Sequence, residues 1–354
     1  MTASAYQPID DPSAWTADDV RKGDGFAFDL EPRHVAALER AFARVRRDGL
    51  GPDDIAPATF PLAEIADDIA KLRQQLQWGP GFATVRGWPV ERLAEADLAL
   101  MYYGFASHLG RPLVQSVLGD RLGRVEDRSD QDPNERAYRN RMALPLHTDN
   151  AGEIVGMLCV RPATEGGASR YVSATAIHNR IARERPDLLA SLYEGFHYHR
   201  RGEETPGEAA ITPHKVPVFS TCEGYLSCRY IGSRLRAAAK ALAQPWPAAF
   251  ADAVALFEAA THAPDLCLDF TIAPGTAVFH NNYTVLHGRN AFHDRPVSAA
   301  KRLLLRMWLK PEPGRPVVPA TEIFSGGAIS PQAGRRPTFA SEAFVGTIYA
   351  PKKG

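Results

Sequence analysis

A mainly β fold, a jelly roll with flanking helices, is what this sequence predicts. Beyond residue 110, short apolar runs bounded mostly by Gly, Pro, Asn or Asp follow one another as strands and turns do. No βαβ rhythm links them, which argues against a parallel α/β sheet. The composition agrees. With 45% hydrophobic and 23% charged residues the chain is ordinary globular material, neither collagen, coiled coil nor bulk disorder.

The elements follow in order. Over 32–46, Val35, Leu38, Phe42 and Val45 recur every three or four positions and Gly49 offers a stop, so a helix is expected. Leu62, Ile65, Ile69, Leu72 and Leu76 form a second helical stripe that ends at Gly79. A short strand over 82–86 and a helix over about 91–108 complete a mostly helical first part. Strands are then expected over 113–118, 154–160, 170–173, 196–199, 216–220, 225–230, 267–272, 276–279 and 303–309, with helical inserts near 175–185, 186–193 and 247–261. From Pro311 the last 44 residues hold 7 Pro and 6 Gly, too many for regular structure, and read as a docked strap or a partly disordered tail. The expectation is one catalytic domain over 1–354: a helical part (1–110), a jelly-roll core (111–310) and this tail (311–354).

Charge and composition exclude several partners. Lys plus Arg and Asp plus Glu both number 41, so no basic footprint for nucleic acid or anionic membrane exists. No apolar run approaches the roughly 18 residues of a membrane span, and the first ten residues lack a signal-peptide pattern. Cys159, Cys222, Cys228 and Cys267 form no CxxC pair. A reduced, cytoplasmic protein with a small-molecule acidic substrate is expected; the oligomeric state is not legible.

The chemistry centres on His147-Thr148-Asp149, the one His-x-Asp or His-x-Glu in the sequence. On a strand, residues i and i+2 share a face about 6.5 Å apart, so both side chains can reach one metal ion. His287, far downstream, is a candidate third ligand if the sheet rolls back on itself. Two histidines and a carboxylate on one face leave three coordination positions open, the arrangement of non-haem Fe(II) oxygenases. The bland alternative is two unrelated, hydrogen-bonded histidines.

Residues 301–309 sharpen the choice. Under period-2 alternation Arg302, Leu304, Arg306 and Trp308 share one face of a largely apolar strand. Two buried guanidiniums are costly unless each meets an anion, and about 13 Å of strand between them suits two different carboxylates. An edge strand with a solvated Arg face is the alternative.

Taken together, these segments resemble the taurine-dioxygenase and clavaminate-synthase-like family of Fe(II)/2-oxoglutarate oxygenases. The resemblance runs from about Gly81 to Pro311. It covers Gly-Phe-x-x-x-Arg-Gly at 81–87, His147-Thr148-Asp149, Glu165-Gly166-Gly167, Asn282-Tyr-Thr-Val-Leu-His287-Gly-Arg289 and the Arg302/Arg306 strand. It implies a double-stranded β-helix that uses Fe(II), 2-oxoglutarate and O2, with His147, Asp149 and His287 as metal ligands. Arg302 would hold the distal carboxylate of 2-oxoglutarate with help from Ser169. Arg306 would hold an acidic group on the substrate, and Gln115 would contact the amine of an amino-acid substrate. Hydroxylation with release of succinate and CO2 is the implied outcome; Asp149 stands where halogenating relatives have lost the carboxylate, which argues against halogenation.

Three further readings are open to test. The charged stretch 126–136 is expected as a lid, with a plain solvated loop as the alternative. His197, His199 and Glu203 form a cupin-like His-x-His-x-x-x-Glu, whose second element is missing because Pro274-Gly275 stands at the wrong distance from His280. A jelly-roll binding protein without catalysis is the remaining alternative class.

Overall fold

The computed structural model describes residues 6–128, 140–294 and 301–332. Its helical first part contains α1 (Ala17–Lys22), strand β1 (Ala27–Asp29), α2 (Pro32–Arg47), α3 (Ala66–Trp78), β2 (Phe82–Arg86) and α4 (Glu95–Ser107). Proline at the first turn of α2 and the Glu31/His34 cap start that helix as the sequence suggests. α4 begins later than expected because Val90 and Arg92 are caught in turns onto Trp88 and Pro89.

Strands and inserted helices follow: β3 (Arg111–Pro112), β4 (Leu122–Val125), β5 (Leu144–His147), β6 (Ile154–Arg161), β7 (Glu165–Gly166), β8 (Ser169–Ser173), α5 (Ala174–Glu184), α6 (Pro186–Glu194), β9 (Phe219–Cys222), β10 (Tyr225–Cys228), α7 (Gly232–Ala241), α8 (Ala248–Thr261), β11 (Leu268–Phe270), β12 (Thr276–Asn281), β13 (Val285–Arg289), β14 (Phe292–His293) and β15 (Leu303–Lys310). The major sheet runs β1-β2-β12-β6-β15-β3, with β4 also on β15, and the minor sheet runs β11-β8-β13-β5. Two sheets of interleaved, mostly antiparallel strands make this the jelly roll, or double-stranded β-helix, that the sequence predicts.

The major sheet is buried on both faces, and alternation sorts its side chains. Ile154, Leu158 and Val160 of β6, Ala277 and Phe279 of β12, and Leu303, Leu305, Met307 and Leu309 of β15 pack with α2, α3 and α4. Val155, Met157, Cys159, Val278, Leu304 and Trp308 point into the roll. Close passage demands glycine at 156, where a Cβ would lie 2.4 Å from the Tyr102 hydroxyl and 2.5 Å from the Phe279 ring.

Several expected strands are absent. Residues 113–118 form no strand: Gln115 N donates to Asp120 O and Gly119 N to Ser116 O, so the segment folds back on itself. Residues 196–199 and 216 make only the isolated bridges Phe196–Val216 and His199–Ile211. α7 went unforeseen, since it begins at Gly232 without a side-chain cap. The described part of the tail is docked: Ile323, Phe324 and Ile329 are buried, and Arg200 Nε donates to Ile323 O at 2.7 Å.

Candidate active site

The β13 and β5 ladder sets His287 directly opposite His147. Cross-strand partners share a face, and the two ring centroids lie 4.4 Å apart. Asp149, in the turn after β5, completes the group. Its Oδ1 is 4.0 Å from His147 Nε2 and its Oδ2 is 3.8 Å from His287 Nε2. One donor atom from each residue lies within 4.8 Å of the others, and among the described residues no further group of three such side chains gathers. Separations of 3.8 and 4.0 Å do not exceed twice a metal–ligand bond of roughly 2.0–2.2 Å, so one ion can touch all three after small adjustments.

The surrounding bonds orient His147 and Asp149. His147 Nδ1 lies 2.8 Å from Pro145 O, and an N–H there leaves Nε2 as the lone pair for metal. Trp308 Nε1 donates to Asp149 Oδ2 at 2.7 Å, and Asp149 N donates to Asn282 Oδ1 at 2.6 Å. Asn282 Nδ2 in turn donates to the carbonyls of Asp149, Ala151 and Gly152, pinning the whole turn. Burial lowers the pKa of His147 and, helped by neighbouring His147, His280 and Arg306, that of His287. Neutral imidazoles are what a metal needs. Fully buried His280, 4.7 Å from the His287 ring, is pushed down to about 3 by the same desolvation.

Arg302 and Arg306 both turn into the roll and are buried, so the solvated-edge alternative fails. They line a small cavity with Ser169, His287, Arg289 and Met157, partly open to solvent. The two arginines are held differently. Arg306 Nε donates to Gln115 Oε1 at 2.8 Å, and its Nη1 stands 3.5 Å from Asp149 Oδ1. Arg302 Nη1 is buried with no hydrogen-bond partner, and desolvation lowers its pKa. Nearby, Gly167 takes a left-handed backbone at φ +70°, and a Cβ there would sit 3.1 Å from Phe292 Cβ.

Gln115 is in the loop after β3, not on a strand. Its Nε2 donates to Arg306 O and Arg121 O, both at 2.9 Å, so both amide hydrogens are engaged within the protein. The cupin-like set is overturned. His197 Nδ1 bonds Thr212 O, His199 Nδ1 accepts from Arg201 N, and buried Glu203 pairs with Arg234. Among the described residues those side chains do not gather within reach of one ion. Of the expected lid over 126–136, residues 129–136 lie outside the described residues. Glu126 is bracketed by Arg124 and Arg128, and the pairing outweighs burial to bring its carboxyl down to about 2.

The profile of the taurine catabolism dioxygenase TauD, TfdA family matches residues 46–308, most of the chain. The chain belongs to the TauD/TfdA family. It is an Fe(II)- and 2-oxoglutarate-dependent oxygenase, consuming O2 as the family does. FR-33289 synthase of Streptomyces rubellomurinus is 29% identical over 321 residues, covering 89% of this chain and 94% of that one. A taurine hydroxylase-like protein, SAT17, of Stachybotrys chartarum is 28% identical over 313 residues, 84% of this chain and 79% of that one. Among solved structures, asparagine oxygenase in complex with Fe(II), 3-hydroxyasparagine and succinate superposes with a TM-score of 0.63 at 16% identity, over 80% of this chain and 93% of that one. The non-haem iron oxygenase OrfP with Fe and α-ketoglutaric acid gives 0.59 at 12% identity, with the same coverage. At such identities these two likenesses concern the fold.

Within this TauD/TfdA chain, sequence reasoning missed the roles of Trp308 and Asn282. Trp308 was legible as the next same-face residue after Arg306. Asn282 carried no signal beyond its place in the motif before His287, since what it bonds depends on a turn more than a hundred residues away.

Proposed function

We propose that His147, Asp149 and His287 hold the iron of an oxygenase that hydroxylates a small acid, an amino acid or an amino-acid-derived metabolite. The observation that carries this reading is the facial group itself: two imidazoles and one carboxylate converging from β5, its turn and β13. When bound, the metal supplies the O2 chemistry by which 2-oxoglutarate is decarboxylated to succinate and a substrate C–H bond is oxidised.

The chain's own residues supply position. Arg302, with a buried unpartnered nitrogen in the cavity wall, binds the distal carboxylate of 2-oxoglutarate, and Ser169 donates its hydroxyl to the same group. Arg306, closer to Asp149, holds the carboxylate of the substrate beside the metal ligands. Gln115, with both amide hydrogens engaged, acts on the substrate through Arg306, clamping its Nε and its carbonyl; this replaces the expected contact with a substrate amine. The likeness to an asparagine oxygenase and to OrfP complexes with hydroxylated arginine supports a free amino acid.

A panel of amino and organic acids, assayed for substrate-stimulated succinate release, tests the class. Succinate release stimulated by at least one α-amino acid is expected; stimulation by none, with other acids active, sinks the amino-acid reading. Arg306→Leu should lower coupled turnover by about tenfold or more while sparing uncoupled decarboxylation. Equal loss of both means that Arg306 does not hold the substrate.

A further inference from the structure

Arg289 ends β13 two residues beyond His287, and its ladder partner on β8 is Ser169. Direct cross-strand partners share a face, so its side chain stands on the Ser169 side of the sheet, lining the same cavity as Arg302. Both guanidiniums lie over one ring: Phe292 is 4.6 Å from Arg289 Cζ and 5.2 Å from Arg302 Cζ. Arg289 is 4% exposed. One nitrogen is accounted for, since Nη2 donates to the carbonyls of Asn140 and Met142, each at 2.6 Å. Nε and Nη1 are buried with no hydrogen-bond partner, as is Arg302 Nη1. No ion pair to either guanidinium forms among the described residues.

Unpaired charged donors in a buried wall are costly, and two such cations around one cavity repel each other. An anion lodged between them offsets both costs. A carboxylate has about four acceptor sites on its two oxygens. A forked pair from Arg302 fills two and the Ser169 hydroxyl one, which leaves one for a further donor. We propose that Arg289 is a second guanidinium for the distal carboxylate of 2-oxoglutarate, and that it thereby selects a dicarboxylic over a monocarboxylic 2-oxo acid. This rests on the placement of that carboxylate at Arg302 and Ser169.

The test uses the full chain loaded anaerobically with Fe(II), titrated with 2-oxoglutarate and with 2-oxovalerate. Both acids chelate through the same 2-oxo acid end and are followed by the weak visible charge-transfer band; only the first has a distal carboxylate. Arg289→Met is expected to raise the Kd for 2-oxoglutarate by about tenfold or more and to leave that for 2-oxovalerate within about twofold. Arg289→Lys should recover part of the loss. If Arg289→Met weakens both acids equally, the residue only anchors the 140–142 segment and the proposal is overturned; an unchanged Kd for 2-oxoglutarate overturns it as well. Should Arg289→Met not fold, the ratio of the two Kd values in Arg289→Lys decides, an unaltered ratio counting against the proposal. Arg302→Met separates the underlying reading: a ratio unmoved there means that the distal carboxylate lies elsewhere, whereas a ratio moved by Arg302→Met and not by Arg289→Met refutes the second contact alone.

Discussion

Two parts of this molecule look alike in sequence and unlike in space. His147-Thr148-Asp149 and His197-Tyr198-His199 with Glu203 are both short groupings of metal-binding residue types. In the first, Nε2 of each histidine and the carboxylate oxygens of Asp149 face one another across 3.8 and 4.0 Å. In the second, no three donor atoms gather within reach of one ion among the described residues: Nδ1 of His197 faces the Thr212 carbonyl, Nδ1 of His199 accepts from Arg201 N, and Glu203 pairs with Arg234. What separates a metal site from a set of scattered polar residues is whether the donor atoms converge within reach of one ion.

The comparison can be broken most sharply by deletion. His287→Ala should reduce Fe(II) uptake and turnover to background, while His197→Ala and His199→Ala leave uptake intact; metal analysis after gel filtration reads both. Uptake lost in His199→Ala would reverse the assignment. Glu203→Ala should leave metal content unchanged and cost about 3–5 kcal/mol of stability, because it removes the carboxylate partner of buried Arg234; denaturant unfolding measures it. A stability loss below about 1 kcal/mol would mean that this pair does not hold its loop. The smallest effect sharpens the first cluster. Trp308→Phe removes one hydrogen bond to Asp149 and should weaken Fe(II) binding about 10–100-fold with the fold intact. Unchanged affinity would show that Asn282 and the turn orient Asp149 without it.

Much of the scaffold was legible, for physical reasons visible in single stretches. The stripe of α2, the run of β6 and the alternation of β15 are local patterns, and each element forms close to where its pattern puts it. Failures came where local preference and tertiary pairing disagreed. Residues 113–118 are apolar enough for a strand, yet a turn through Ser116 and Asp120 diverts them, and this diversion delivers Gln115 to Arg306. Alternation did place Arg302, Arg306 and Trp308 on one face. It could not show that Arg306 is clamped by the protein while Arg302 keeps an unpartnered nitrogen.

By itself the sequence determined the strand-rich class, the periodic faces that bury the major sheet on both sides, and the residue types able to bind a metal and two acids. Only the tertiary structure decided which histidines meet, that Trp308 and Asn282 orient Asp149, and that Arg289 joins Arg302 at one cavity. The physical reason is range: periodicity is a property of neighbours along the chain, whereas a coordination site is made by strands that the roll brings together from opposite ends of the core.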